Sequence, residues 1–156
     1  MKNLILSLLI SFSTLLPIAA SAITYEVIGP CSEKPVFAGS FDLADLSTNA
    51  GKATVQIFDQ HKIPYQGDEN GFKSIIGTPT GTDSIEVISE TKMRAYGWCY
   101  SIDGVEPDVM PKDVLFNSSD SKLIWFYAYS TYDNGSWIDY CVPSYRVKAA
   151  QFCSKK

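Results

Sequence analysis

The side chains with the clearest chemical potential are Cys99, which lies among aromatic residues, and His61, the only histidine of the chain. A thiolate beside an imidazole is a strong nucleophile when a third group orients the imidazole. No such third group is apparent in the sequence, and neither a Gly-x-Ser-x-Gly nor a His-Glu-x-x-His motif is present. We therefore predict no catalytic residue and a protein that is not an enzyme.

Two short acidic segments offer oxygen atoms that a metal ion could bind. They are Asp103, Glu106 and Asp108 in one segment and Asp68 with Glu69 in the other. Neither has the ordered ligand spacing of a calcium-binding loop, and a lone histidine is a weak basis for a zinc site. The glycines of residues 77–84 lack the Lys-Ser or Lys-Thr that follows a phosphate-binding loop. We predict solvated turns, no metal site and no resident cofactor.

The first residues of the chain predict export. Lys2 precedes an apolar stretch over residues 4–18, and the small residues Ala20 and Ala22 stand before Ile23. This order is typical of a secretory signal peptide, residues 1–22, with cleavage near Ala22. No later stretch approaches the ~20 apolar residues of a membrane-spanning helix. The sequence predicts a secreted or periplasmic protein without a membrane anchor after cleavage.

Length and charge limit the possible organisation and partners. Residues 23–156 suffice for one domain with a single core. The chain has 13 Lys and Arg against 17 Asp and Glu, and Lys2 is the only charged residue of the signal segment. The remainder therefore carries a net charge of −5, without the clustered cations that a nucleic-acid backbone requires. We predict a single domain and no nucleic-acid partner.

Four cysteines follow the signal segment, at positions 31, 99, 141 and 153. An even number of cysteines in an exported chain is typical of disulfides, and four cysteines allow three pairings. We favour Cys99 with Cys141, which would join two aromatic strands. We favour Cys31 with Cys153, which would hold a C-terminal tail that is otherwise prone to fray.

Aromatic residues concentrate in the C-terminal third, where 12 of the 20 lie between residues 96 and 145. They alternate along two predicted strands, as Tyr96, Trp98, Tyr100 with Ile102, and as Leu123, Trp125, Tyr127 with Tyr129. One stripe must be core, because a small domain needs aromatic burial to offset chain entropy. The other stripe is either further packing or, with Ile124 and Phe126 turned inward, an outward stacking surface of Trp125, Tyr127 and Tyr129, to which Trp137 could add.

The order of secondary structure predicts the fold class. Strand patterns cover residues 23–28 and 36–43, and then Ser47, Thr48 or Asn49 can cap a helix over residues 50–62 that Ile63-Pro64 ends. Residues 65–71 are predicted to form a polar loop. Further strand patterns cover residues 72–76, 84–89, 93–102 and 122–132, with a short return at residues 105–109. We predict an α+β fold in which a single helix packs on a mixed, mostly antiparallel, β-grasp-like sheet.

Asn134-Gly135 is a strong signal for a two-residue hairpin turn. Such a turn would place Tyr132 opposite Trp137, Ser130 opposite Asp139 and Ala128 opposite Cys141. The sequence therefore predicts a C-terminal β-hairpin extension from about residue 130.

One group of motifs resembles a known family. The motifs are HKIPYQG at residues 61–67, then Gly97, Trp98, Tyr100, Asp103, Gly104 and Pro107, and finally Trp125 and Tyr127 in a closing strand. With them, roughly residues 24–130 resemble the transcobalamin-like C-terminal domain family of small secreted domains. The resemblance implies a β-grasp fold that forms one half of a clamp over cobalamin, whose other half is an all-helical barrel.

These observations predict a non-catalytic binding module that uses its aromatic strands and the loops at residues 65–71 and 103–108. The candidate ligand-binding residues are Tyr65, Tyr96, Trp98, Tyr100, Trp125, Tyr127 and Trp137. A corrinoid is the small ligand that the resemblance implies. The alternative is an envelope protein-interaction or structural module, in which a strand edge or an aromatic patch meets another protein.

Overall fold

A computed structural model describes residues 21–43 and 45–154. The predicted signal peptide lies outside these residues except for Ser21 and Ala22, which begin the first strand. The helices are α1 (Ala50–His61) and α2 (Ala150–Cys153). The strands are β1 (Ser21–Ile28), β2 (Phe37–Leu43), β3 (Tyr65–Asp68), β4 (Gly71–Ile75), β5 (Ile85–Val87), β6 (Lys92–Ile102), β7 (Lys122–Asp133), β8 (Ser136–Trp137) and β9 (Val142–Pro143).

The helix α1 forms where its capping and apolar pattern predict it. The Asn49 side chain accepts a hydrogen bond from the Lys52 amide, which satisfies one of the free donors of the first turn. Ala53, Ile57 and Phe58 are buried along one face. The helix ends at His61, and Lys62 follows in the left-handed conformation with φ 55°. Of the three candidate caps, Asn49 is the one used, and the predicted start at Ala50 is confirmed, whereas the helix ends one residue before the predicted segment does.

The main sheet has the order β2-β1-β7-β6-β5, and β8 and β9 also pair with β7. Strand β1 runs parallel to β7, whereas β1 pairs with β2 and β6 pairs with β7 in antiparallel fashion. Strands β3 and β4 form a separate two-stranded sheet. The predicted class, α+β with a mixed, mostly antiparallel sheet, is confirmed, but the predicted single helix is joined by a second, short one, α2.

Two local predictions are wrong. Residues 65–71 form a hairpin rather than a loop, since Tyr65–Asp68 pairs with Gly71–Ile75. The segment is mostly polar and lacks the apolar alternation by which strands are predicted, so its two short strands and the turn between them were not predicted. Residues 105–109 form no return strand, because the pairing stops at a single bridge between Ile102 and Val105, just before Pro107, which has no amide hydrogen for a ladder.

The register of the C-terminal hairpin is right only near its turn. Tyr132 pairs with Trp137 as predicted, but Ala128 pairs with Pro143 instead of Cys141. The amide of Ile138 still donates to the carbonyl of Thr131, and the carboxylate of Asp139 accepts from the Thr131 amide. Residues 138–141 then leave the strand, and Cys141 has φ 50°. The two extra residues shift all later pairings.

The core lies between the sheet and the segments on one of its faces. We call this face, towards α1, the inner face, and the opposite face the outer face. Ile23, Val27 and Leu123 of the sheet pack with Ile57 and Phe58 of α1. A second cluster joins Tyr96, Tyr127 and Tyr129 to Ala149, with Phe152 packed against it. The inner face is thus covered by α1 over one half and by the C-terminal segment over the other.

Both favoured disulfides are present. Cys31 bonds to Cys153 across 122 residues of sequence, and Cys99 bonds to Cys141 across 42. The first holds the C-terminal segment beside the loop that follows β1. The second holds the irregular residues 138–141 against β6.

Candidate ligand-binding groove

The two predicted aromatic stripes lie on the same face of the sheet. The register of β6 with β7 places Tyr96 opposite Tyr129, Trp98 opposite Tyr127 and Tyr100 opposite Trp125. Paired residues of an antiparallel ladder point to the same side. Both stripes therefore face inward, and of the two alternatives left open for the second stripe, packing rather than an outward surface describes Trp125 and Tyr127.

Trp125 is a core residue under α1. Its side chain is 3% exposed, and its indole Nε1 donates to Thr54 Oγ1 of α1 at 3.0 Å. Its ring lies edge-on to Phe72 at 4.9 Å and stacks on Tyr100 at 5.1 Å between centroids. Tyr100 is buried as well and donates its hydroxyl to the carbonyl of Val109. Trp125 therefore holds α1 on the sheet, and Tyr100 holds the loop that contains Val109.

Tyr96 and Tyr127 are core residues under the C-terminal segment. Phe152 contacts both rings edge-on, with centroid distances of 4.7 Å to Tyr96 and 5.4 Å to Tyr127. The Tyr96 hydroxyl donates to Glu86 at 2.6 Å, and burial is the main cause that raises its pKa. Burial also raises the pKa of Tyr127 to about 12. Its hydroxyl has no hydrogen-bond partner within the described part of the chain.

Trp98 and Tyr65 are half-buried, and each donates a hydrogen bond within the protein. Trp98 Nε1 donates to Thr78 Oγ1 at 2.7 Å. The hydroxyl of Tyr65 donates to Asp59 at 2.9 Å, and this bond, more than burial, raises the pKa of Tyr65. Trp98 thereby holds the loop of Thr78 on the sheet, and Tyr65 holds β3 on α1.

The acidic loop residue Asp103 has a structural role. Its carboxylate accepts hydrogen bonds from the Lys122 amide at 2.7 Å and from the Ser121 hydroxyl at 3.0 Å. Asp103 thereby joins the end of β6 to the start of β7. Among the described residues, no three His, Cys, Asp or Glu side chains lie together as metal ligands would. His61 packs on the ring of Tyr25.

The seventh candidate, Trp137, lies elsewhere. It pairs with Tyr132 on the outer face, and the two rings meet edge-on at 5.4 Å. Trp137 is 41% exposed, and Tyr140, three residues further on, is 69% exposed. The alternation of a hairpin was enough to place Trp137. Tyr140 was missed because residues 138–141 do not follow that alternation.

Trp137 and Tyr140 border a shallow, open groove of about 260 Å³ on the outer face. Its floor consists of small side chains at neighbouring positions of β6 and β7. They are Ala95, Gly97, Ala128 and Ser130. None of the described residues that line the groove is charged. We call this site the outer groove.

The disulfide between Cys99 and Cys141 positions one wall of the outer groove. Cys99 lies on the outer face, directly opposite Phe126 of β7. Its bond to Cys141 holds the residue that follows Tyr140 close to the floor. The Tyr140 side chain is thus presented from a backbone that is covalently fixed to β6. The disulfide also removes the Cys99 thiol from chemistry.

A second depression, of about 570 Å³, continues along the outer face at the open end of β6 and β7. Val87, Met93 and Tyr132 form its apolar side. Polar residues of two turns form its rim. They are Ser89, Glu90, Thr91, Lys92 and Asn134, with Gly135 beside them. We call this site the end cleft.

No protein-family model matches the sequence, and a search of curated proteins finds no match. Among solved structures, the chain is similar to a protein of Ruminococcus gnavus described as a "putative metal binding protein". The two share 15% sequence identity with a TM-score of 0.40, over 69% of this chain and 98% of that chain. A similarity at this level does not define a common function. None of the helices in the described residues is long and apolar enough to cross a membrane.

Proposed function

We propose that this protein is a non-catalytic binding module whose ligand lies in the outer groove and stacks on Trp137. The observation that carries the proposal is the exposure of two large aromatic side chains, Trp137 at 41% and Tyr140 at 69%, beside a floor of small residues. Exposed aromatic clusters on a small protein mark interaction sites. Trp and Tyr contribute a large contact area with few side-chain torsions to restrain.

The lining of the outer groove favours an uncharged ligand with one flat apolar face. A charged ligand would gain no ion pair there, because the lining residues are apolar, aromatic or hydroxyl-bearing. The groove is open to solvent, so the ligand keeps one side in water. Its other side would cover the exposed rings of Trp137 and Tyr140 and remove their apolar surface from solvent.

Export and the absence of catalysis are part of the proposal. The two disulfides favour an oxidising compartment, outside the cell or in a periplasm. Neither Cys99 nor any other cysteine of the chain offers a free thiol as a nucleophile. The finer fold description, β-grasp-like, is supported by the parallel contact between β1 and β7 and by the helix after the first hairpin.

A corrinoid is the first ligand to test, because the resemblance to the transcobalamin-like C-terminal domain family implies it. The oxidised protein is titrated with cobinamide and cobalamin while tryptophan fluorescence and the corrin absorption band are recorded. We expect saturable quenching that Trp137→Ala abolishes. The matched control is Ile138→Ala, which truncates the adjacent exposed side chain. Binding that Trp137→Ala leaves unchanged would contradict the use of the outer groove.

The second candidate function is a protein-interaction module of the envelope. It is favoured by strand β2, which lies at one end of the sheet order and is exposed along most of its length. A free strand edge can accept a strand of another protein through main-chain hydrogen bonds. A partner that Trp137→Ala retains and Ser40→Pro loses would favour this function over the groove.

A further inference from the structure

We infer that the outer groove and the end cleft together bind a short, neutral oligosaccharide that lies across both. This inference rests on the proposed function, because it names the ligand class of the same groove. It extends the site beyond the groove to the polar rim around Glu90 and Asn134.

The two depressions are neighbours along the outer face. Met93 and Tyr132 form one rung of the β6–β7 ladder and line the end cleft. Ala95 and Ser130 form the next outward-facing rung and line the outer groove. Trp137 of the outer groove pairs with Tyr132 of the end cleft and contacts its ring. One extended ligand can therefore contact both depressions without leaving the sheet surface.

The length of the combined site suits an oligomer rather than a single ring. From the rung of Met93 to the rung of Gly97 there are four residues of strand. At about 3.3 Å per residue, this corresponds to about 13 Å. The polar rim of the end cleft extends the site further. A monosaccharide would occupy only a fraction of it.

The distribution of side-chain chemistry matches a sugar chain. A pyranose ring has a face of C–H groups and a rim of hydroxyls. The C–H face can lie on the rings of Trp137, Tyr140 and Tyr132. The hydroxyls stay in water or bond to the polar side chains of Ser89, Thr91 and Asn134. An open site that cannot exclude water suits such a two-sided ligand better than an entirely apolar one.

The charges around the end cleft favour a neutral sugar over an anionic one. Lys92 is the cation of the cleft, and its Nζ pairs with the Asp133 carboxylate at 3.1 Å. Glu90 is exposed and adds a negative charge at the rim. A phosphate or a uronic acid would therefore meet a compensated cation and a like charge. The protein's net charge of −4 acts in the same direction.

The test is isothermal titration of the oxidised, full-length mature protein with a panel of hexasaccharides. The panel contains neutral β-1,4-glucose, α-1,4-glucose and β-1,4-N-acetylglucosamine chains and an anionic uronic-acid chain, and a proline-rich decapeptide is titrated beside it. We expect saturable binding of at least one neutral chain, at least tenfold tighter than its monosaccharide, and weaker binding of the anionic chain.

Two variants and one control locate the binding. Trp137→Ala removes the central ring, and Gly97→Val fills the floor, where an added Cβ meets no atom within 4 Å. Each variant should lower the affinity for the hexasaccharide that binds at least tenfold, without changing the far-ultraviolet circular dichroism spectrum. Ile138→Ala should bind as the unaltered protein does. Thr91→Ala should weaken binding of the hexasaccharide more than binding of the monosaccharide, since Thr91 lines the end cleft and not the outer groove.

Failure of the inference and failure of the proposed function give different results. One result is that no neutral chain binds, while cobinamide or the decapeptide binds and loses that binding in Trp137→Ala. The outer groove would then be a binding site, and the inference of an oligosaccharide ligand would be wrong. If neither Trp137→Ala nor Gly97→Val changes the binding of any ligand, both the inference and the proposed function are wrong. A sugar that binds equally well to both variants would also overturn the inference.

Discussion

At the scale of single residues, Tyr127 has the least satisfied environment in the described core. It is fully buried, and its hydroxyl has no hydrogen-bond partner among the described residues. A buried hydroxyl without a partner loses its bonds to water and gains none in return. We expect Tyr127→Phe to raise the free energy of unfolding by about 1–2 kcal/mol at pH 7. Urea denaturation of both proteins measures the difference.

The same residue makes the protein sensitive to alkali. Burial raises the pKa of Tyr127 to about 12, whereas an unfolded tyrosine titrates near pH 10. The folded state therefore binds this proton more tightly than the unfolded state does. The contribution of this difference to the free energy of unfolding is fully present below about pH 10 and is lost as the pH rises towards 12. The stability difference between Tyr127→Phe and the unaltered protein should widen from pH 7 to pH 10.5. An unchanged difference would contradict this account of Tyr127.

Residue types predicted the strands but not the face that each stripe occupies. The face depends on the register between β6 and β7, which is set across the long connection of residues 103–121. Asp103 helps to fix that register through Ser121 and Lys122, and such a contact between distant residues leaves no local pattern. The sequence therefore predicted which aromatic residues share a strand face, but it left open whether that face is core or surface. The pairing of Trp137 with Tyr132 could be predicted because a two-residue turn connects their strands.

At the scale of elements, Gly51 fixes how the β3–β4 hairpin meets α1. A Cβ at this buried helical position would overlap the backbone carbonyl of Glu69 in the hairpin turn. Alanine favours a helix over glycine by about 1 kcal/mol, but overpacking against a backbone costs about 1–3 kcal/mol or more. We expect Gly51→Ala to lower the free energy of unfolding despite its better helix propensity.

Chemical denaturation checks this expectation, with Gly97→Ala as the matched control. Gly97 has no atom within 4 Å of an added Cβ, and it lies in the strand β6. The control should be as stable as the unaltered protein or more stable. A stabilised Gly51→Ala protein would show that the hairpin does not rest on α1 as described. Local signals predicted α1 well, since Asn49 and Pro64 bound it, but they could not predict this close approach.

At the scale of the whole molecule, the disulfide between Cys31 and Cys153 closes the fold. It joins residues 122 apart in sequence and holds Phe152 on Tyr96 and Tyr127. Loss of a disulfide with so long a loop typically costs about 2–5 kcal/mol. We expect Cys31→Ser with Cys153→Ser to lose stability in this range and to bind more of a hydrophobic fluorescent dye, because the aromatic cluster becomes exposed.

The other disulfide provides the comparison. Cys99→Ser with Cys141→Ser should leave the inner aromatic cluster covered and instead loosen Tyr140 at the outer groove. Its effect should therefore be larger on ligand binding than on dye binding. Equal dye binding by the two double variants would contradict the assignment of the C-terminal segment as the cover of Tyr96 and Tyr127.

The central claim, that Trp137 contacts the ligand, is tested most directly by the indole N–H signals of the three tryptophans in a ¹H–¹⁵N spectrum. Trp98 donates its N–H to Thr78 and Trp125 donates to Thr54, whereas Trp137 is exposed. On titration with the panel of neutral hexasaccharides and with cobinamide, we expect the Trp137 signal to shift with saturation while the Trp125 signal stays in place. A ligand that shifts the signals of Trp98 or Trp125 and not that of Trp137 would contradict the outer groove as the binding site.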